Sequence, residues 1–319
     1  MLIPASAFLL ALGGSWLLTP LIRDAAHGAG LLDEPEERKV HETAMPRLGG
    51  VAIGAAFYLG ITAGLVAARA TGVALELETG HLTAILVGVA LIAAVGLLDD
   101  LQGMRARAKL AAQVVVGLVA YGLGLSLDAL HGPWGTLDLG PWSLLLTVAW
   151  FVAVINAVNL IDGLDGLASG VALTAMVAFF LIAANMTDAD STLMVVAAGA
   201  GGVLGFLRYN MHPASIIMGD TGSMQLGFLL AAVAISLTQV TATPVAPWVP
   251  LLAVGLPLAD VAWAVLRRGA QGAPILAPDK RHIHHQLMTL GLSTRGVVLV
   301  LWAASAVLGA MAVALAYTA

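Results

Sequence analysis

The sequence predicts an all-α integral membrane protein of about ten transmembrane helices, with both termini outside and the polar chemistry gathered at the cytoplasmic face. Three observations lead there. Hydrophobic residues make up 60% of the 319 positions and charged residues only 10%, with a mean hydropathy of +0.94. A soluble domain cannot hide that much apolar surface, so the bilayer must act as solvent. Apolar stretches of about 20 residues, enough to cross ~30 Å of hydrocarbon as a helix, recur along the chain. The basic residues, finally, fall almost entirely between alternate pairs of those stretches.

Taken in order, the spans are 3–22, 49–69, 81–98, 108–127, 142–159, 168–185, 191–208, 222–240, 248–266 and 296–317. Alternating directions place Arg23, Arg38, Lys39, Arg47, Arg105, Arg107, Lys109, Arg208, Arg267, Arg268, Lys280, Arg281 and Arg295 on one side, and only Arg69 of the 14 basic residues on the other. That asymmetry marks the first side as cytoplasmic. The whole chain, 1–319, reads as one polytopic domain. Its start, Met1-Leu2-Ile3-Pro4, has no basic n-region, so a cleaved signal peptide is not expected.

The outward loops carry little chemistry. Around His131-Gly132-Pro133-Trp134-Gly135, turn residues between short β-capable pieces suggest a hairpin, with an ordered loop bearing an interfacial Trp as the plainer alternative. Absence of cysteine excludes disulfides, thiolate zinc sites and a cysteine nucleophile. The net charge of −5 is too small to suggest nucleic acid as a partner. No fixed-period or inverted repeat is evident, which disfavours a transporter.

Polar residues suited to chemistry collect at inner helix ends. Asp99-Asp100 close the third span, with Arg105, Arg107 and Lys109 following; paired carboxylates can face a metal ion or hold apart one another's protonation, and they also cap helices. Asn156, Asn159 and Asp162 recur every third residue and so share one helical face. Gly163 and Gly166, flanking Asp165, would end that helix and let a ligand approach the backbone. Gly219-Asp220-Thr221-Gly222-Ser223 begins the eighth span, where free N–H groups suit a phosphate and a carboxylate suits its cation; an N-cap is the ordinary alternative. His282, His284 and His285 beside Lys280 and Arg281 fit an anion better than zinc. Lys39, His41 and Arg47 stand in the first inner loop, and Asp260 lies inside the ninth apolar run, where an acid is costly and functional by default.

In this order the motifs resemble the polyprenyl-phosphate N-acetylhexosamine-1-phosphate transferases of glycosyltransferase family 4. The resemblance runs from Lys39 to about Leu290 through Pro46-Arg47-Leu48-Gly49-Gly50, Asp99-Asp100, Asn156 to Leu167, Gly219 to Ser223 and His282-Ile283-His284-His285. It implies a ten-helix fold, a cytoplasmic active site, Mg²⁺ (with Mn²⁺ as a substitute), a UDP-sugar donor and a polyprenyl phosphate acceptor in the bilayer, with a homodimer left open. By position it makes Asp220 the main metal ligand with Asp100 beside it. Asp99, Asp100, Asp162, Asp165, His282, His284 and His285 then do the catalytic work. Lys39, His41, Arg47, Lys109, Asn156, Asn159, Asp260 and Arg281 meet substrate.

The resemblance further implies transfer of N-acetylglucosamine 1-phosphate from UDP-N-acetylglucosamine to undecaprenyl phosphate, because the histidine cluster is split by Ile283. The branch acting on UDP-N-acetylmuramoyl-pentapeptide usually carries adjacent histidines and is the alternative. An anion or lipid-linked-sugar transporter is a remote second, since its polar residues should stand at mid-membrane rather than at one face.

Overall fold

The computed structural model describes residues 1–33, 44–73, 79–187, 189–239, 244–272 and 281–318. Its helices are α1 (Leu2–Gly28), α2 (Gly49–Thr71), α3 (Thr79–Gln102), α4 (Ala106–Gly122), α5 (Trp142–Ile161), α6 (Leu167–Ala183), α7 (Asp190–Asn210), α8 (Gly219–Gln239), α9 (Trp248–Ala253), α10 (Gly255–Ala270), α11 (Ile283–Thr289) and α12 (Thr294–Thr318). Each predicted span has its helix. Seven of them among the described residues (α1, α2, α3, α5, α7, α8 and α12) are long and apolar enough to cross a membrane, and α6 is a shorter apolar helix. The protein is a multi-pass membrane protein.

Two boundaries differ from the sequence reading, each for a local reason. The fourth helix stops at Gly122 rather than 127, because the chain turns at Leu123 and Gly124, where φ is +94°. The ninth span is divided at Val254 into α9 and α10. Pro257 explains the division: it has no N–H to offer the carbonyl four residues back, and its ring crowds that carbonyl.

Lipid supplies no hydrophobic drive between helices, so small residues that let backbones approach must do the packing. Helix α1 presents Ala11 and Ser15 to α7, both fully buried, and Ala7 to α2. On the α7 side a Cβ at Gly201 would lie 2.3 Å from the Phe8 carbonyl oxygen, and one at Gly205 would lie 2.4 Å from that of Leu12. The apolar stretch of α8 is buried along its whole length, whereas α1, α3 and α12 bury only about a third of theirs. Helix α8 is therefore the central post, ringed by α2, α3, α5, α6 and α7. Exposed Leu9, Leu17, Leu98, Val115, Leu145, Leu266 and Leu299 face outward from the surrounding helices.

Strands are few. β1 (Leu32–Asp33) pairs antiparallel with β2 (Met45–Pro46), and β3 (Ala129–Gly132) with β4 (Gly135–Asp138). The second pair is the expected hairpin, turning on Pro133 and Trp134, and the Trp134 ring lies 5.3 Å from that of Trp248.

Candidate active site

The C-terminal ends of α3, α5, α7 and α10 meet the N-terminal ends of α4, α8 and α11 at one end of the bundle. Close approach there is built into the turn that enters α2. Gly50 leaves no room for a side chain, since a Cβ would lie 2.1 Å from the Gly222 nitrogen, and the Gly49 and Gly50 amides donate to the Ile217 and Met218 carbonyls at 3.1 and 2.8 Å. The Pro46 carbonyl accepts from the Ile217 amide at 3.0 Å. The Pro46 to Gly50 motif thus pins the turn that delivers Asp220.

Asp100 fixes the same turn from α3. Its Oδ1 accepts the Asp220 amide at 2.9 Å, and its Oδ2 accepts the Thr221 amide at 2.9 Å and the Thr221 hydroxyl at 2.5 Å. It caps α8 from another helix, satisfying N–H groups that a helix start leaves unpaired. Both oxygens serve this turn, which sets the carboxylate beside Asp220.

Asp99 points the other way. Its Oδ1 accepts the Met104 amide at 2.5 Å, while its Oδ2 lies 2.9 Å from Lys109 Nζ. The same ammonium is 2.8 Å from Asp220 Oδ2 and donates to Asn159 Oδ1 at 3.3 Å. Asn159 in turn donates to Asp220 and, at 2.8 Å, to the Ser223 hydroxyl. Asn156, one turn deeper on the same face of α5, donates to Gln113 of α4 and to the Val152 carbonyl. It ties α5 to α4 below the cluster.

Asp162 follows the last residue of α5. Burial and the nearby charges of Asp220, Asp100 and Asp165 push its carboxyl up to about 8 from an ordinary 3.8. Asp220, Asp100 and Asp165 all lie within electrostatic reach of Asp162, and this local cluster carries a surplus of negative charge. Asp165 accepts from His212 Nδ1 at 2.8 Å and from the Ala214 amide at 3.1 Å. His212 is not among the predicted site residues; a lone histidine at a polar helix end is the available signal. Arg295, likewise missed, donates to the His212 carbonyl at 3.2 Å and has no motif to announce it.

The histidines arrive from the other flank. His284 is buried, and its Nε2 lies where a Cβ on Gly163 would come within 2.6 Å, so the ring rests on the Asp162-Gly163 loop. Burial, then the neighbouring His285 and His282, lower its imidazole to about 4. Its Nδ1 is buried with no hydrogen-bond partner, as is Arg47 Nε across the site. Leaving such atoms unpaired costs roughly 1–3 kcal/mol each. The ring of His285 is 4.2 Å from that of His284, and Arg281 is exposed just before α11. Asp260 and His282 pair with each other, buried, at 2.8 Å. Lys39 and His41 lie outside the described residues.

Among the described residues no three His, Asp or Glu side chains converge on one metal position. The Asp99 and Asp220 carboxylates, both on Lys109, nevertheless offer hard oxygen donors in a surplus of negative charge. That set fits Mg²⁺, which is commonly held by one or two carboxylates together with substrate phosphates.

A model of glycosyl transferase family 4 matches residues 82–238. The probable undecaprenyl-phosphate N-acetylglucosaminyl 1-phosphate transferase of Bacillus subtilis (strain 168) is 38% identical over 301 residues, covering 93% of this chain and 80% of the relative. The decaprenyl-phosphate N-acetylglucosaminephosphotransferase of Mycobacterium tuberculosis (strain ATCC 25618 / H37Rv) is 35% identical over 316 residues, covering 90% and 76%. The undecaprenyl-phosphate alpha-N-acetylglucosaminyl 1-phosphate transferase of Escherichia coli (strain K12) is 29% identical, covering 93% and 79%. With 35–38% identity to the first two of these relatives over nine-tenths of its length and about three-quarters or more of theirs, the chain belongs to glycosyl transferase family 4.

Proposed function

We propose that this protein transfers N-acetylglucosamine 1-phosphate from UDP-N-acetylglucosamine to undecaprenyl phosphate, releasing UMP, at the cytoplasmic face of a plasma membrane that it crosses ten times with both termini outside. The observation that carries the chemistry is the pair of carboxylates Asp99 and Asp220 on Lys109, with Asp162 within electrostatic reach of Asp220 and buried unpaired nitrogens on His284 and Arg47. Such an arrangement suits two anionic reactants that must be brought together against their own repulsion.

In the reaction an oxygen of the lipid phosphate forms a bond to the sugar-linked phosphorus, and the bond from that phosphorus to the oxygen bridging the two phosphates breaks. UMP leaves with the bonding pair, and the product is a lipid pyrophosphoryl sugar. Asp99 and Asp220 would hold Mg²⁺, which supplies charge neutralisation when bound. Lys109 spans the same two carboxylates and orients them. A phosphate monoester has a second pKa near ~6, so near neutral pH the nucleophile is mostly ionised. Asp99 or Asp100, the acidic pair at the end of α3, would take any remaining proton. Direct attack needs no covalent carboxylate intermediate and is preferred. His284, His285, Arg281 and Arg47 meet the donor's sugar and phosphates.

The purified protein, given UDP-N-acetylglucosamine, undecaprenyl phosphate and Mg²⁺, should release UMP and form lipid-linked N-acetylglucosamine. A parallel assay with UDP-N-acetylmuramoyl-pentapeptide should give little product. Preference for the pentapeptide donor would overturn the donor assignment, and no UMP from either would overturn the transferase itself.

A further inference from the structure

Asp260 is a carboxylate inside an apolar helix, its side chain only 4% exposed. It does not face the carboxylate cluster. Its Oδ2 is 2.8 Å from His282 Nδ1, and its Oδ1 accepts the Ile283 amide at 2.9 Å. His282 is buried as deeply as its partner and occupies the N-cap of α11, so the acid of α10 holds the first two residues of that short helix together.

Seven residues are too few for an isolated helix to persist in water. Helix α11 is held by two anchors. Ile283, Leu287 and Met288 pack against the core on one face, and Asp260 grips the N-terminus. Only the second fixes rotation about the helix axis at the end bearing the histidines. The His284 ring depends on that rotation, because its Nε2 edge must rest against Gly163, where no side chain would leave room for it. The rings of His282 and His284 are nearly parallel, at 7° with centroids 6.1 Å apart, so a turn of one carries the other. The carboxylate also selects the His282 tautomer that carries its proton on Nδ1, leaving Nε2 as the free ring nitrogen.

We propose that Asp260 is a positioning residue for the donor subsite: by gripping His282 and the Ile283 amide it sets the orientation of α11 and so aims His284 at the UDP-sugar, without touching substrate itself. This rests on the transferase reading given above. The sequence expectation that Asp260 meets substrate directly gives way here to action through His282.

The test uses the full chain in detergent. With UDP-N-acetylglucosamine and undecaprenyl phosphate, D260A should raise the KM for the donor roughly tenfold or more, as loss of hydrogen bonds to a charged group implies. The KM for the lipid phosphate should stay within about twofold. Because the two residues act as one unit, H282N should reproduce the donor defect, and D260A/H282N should be no worse than the poorer single variant. D260N, which keeps one acceptor, should recover part of the loss. In parallel, hydrogen exchange across Ile283–Thr289 should quicken in D260A while the rest of the fold stays protected.

An unchanged donor KM in a folded D260A, an equal rise for both substrates, or losses that multiply in the double variant would each overturn the proposal. If the parent protein released no UMP, the transferase reading would fail by itself. Exchange at Ile283–Thr289 would then still decide the anchoring, and unchanged protection in D260A would overturn it.

Discussion

The two ends of the bundle use the same polar residue types to opposite effect. At the end away from the carboxylate cluster, Asp128 accepts the Ser126 hydroxyl at 2.6 Å and the Ser143 hydroxyl at 2.7 Å. Gln239 accepts the Asp128 and Ala129 amides at 3.1 Å and donates to the Ala129 carbonyl at 2.8 Å. Carboxylate, hydroxyls and amides there answer one another, and the result is a tied hairpin. At the other end Asp99 and Asp220 share one ammonium with Asp162 close by, and His284 and Arg47 bury nitrogens with no hydrogen-bond partner. A polar network that closes on itself serves the fold; one left with surplus charge and unpaired buried nitrogens is complete only with a ligand.

The largest expected effect is all or none and concerns which end faces the cytoplasm. The chain contains no cysteine, so single cysteines label without background. Introduced at Thr136 or Thr187, both exposed at the hairpin end, they should react with an impermeant maleimide on intact cells. At Ala106 or Gln271, exposed at the cluster end, they should react only after permeabilisation. The reverse pattern would put the site outside.

Next in size is the contrast between two aspartates. D220N keeps the shape but removes a charge from the cluster, and turnover should fall roughly 10²–10³-fold, as for loss of one group that stabilises developing charge. D128N should leave turnover within about twofold while lowering stability by about 1 kcal/mol at most, the net worth of hydrogen bonds to an exposed carboxylate. UMP release and thermal midpoints, measured on the same preparations across a range of Mg²⁺ concentrations, separate the two. Equal turnover in the two variants would erase the distinction between the ends.

Much of this was legible in the sequence. Apolar length and the placement of arginines fix where helices begin and end, because both follow from local composition. The turn at Pro133-Trp134 was readable for the same reason. Asp99-Asp100 were legible as a pair but not as two opposed roles, one facing Lys109 and the other capping α8, since that depends on which way each side chain leaves the helix. Lys109 reaching Asn159, Asp165 reaching His212 and Asp260 reaching His282 are contacts 50, 47 and 22 residues apart in sequence. Hydropathy carries no information about such pairs. The division at Val254 was in reach, because Pro257 announces it, but the apolar run around it hid the signal.

The smallest expected effect lies in the pH dependence of stability, and it separates the histidine flank from the carboxylates. Burial lowers the His284 imidazole to about 4 from an ordinary 6.5. Between those values the unfolded chain binds more protons at this position than the folded one, so stability contributed by neutral His284 is present above about 6.5 and is lost as the pH falls toward about 4. Asp162 works in the opposite sense. Its carboxyl, raised to about 8 in the fold, binds more protons folded than unfolded, and its contribution weakens as the pH rises toward 8. The parent's curve mixes both slopes, so the informative quantity is the difference between the parent and H284Q. Thermal midpoints in detergent should show H284Q losing fewer degrees than the parent between pH 6.5 and 4.5, by a few degrees at most for one titrating group in a chain of this size. Above pH 7 the two curves should run parallel. Parallel curves throughout would mean that His284 titrates as if in water, and the buried, unpaired ring on Gly163 would no longer distinguish this end of the bundle from the closed network at the other.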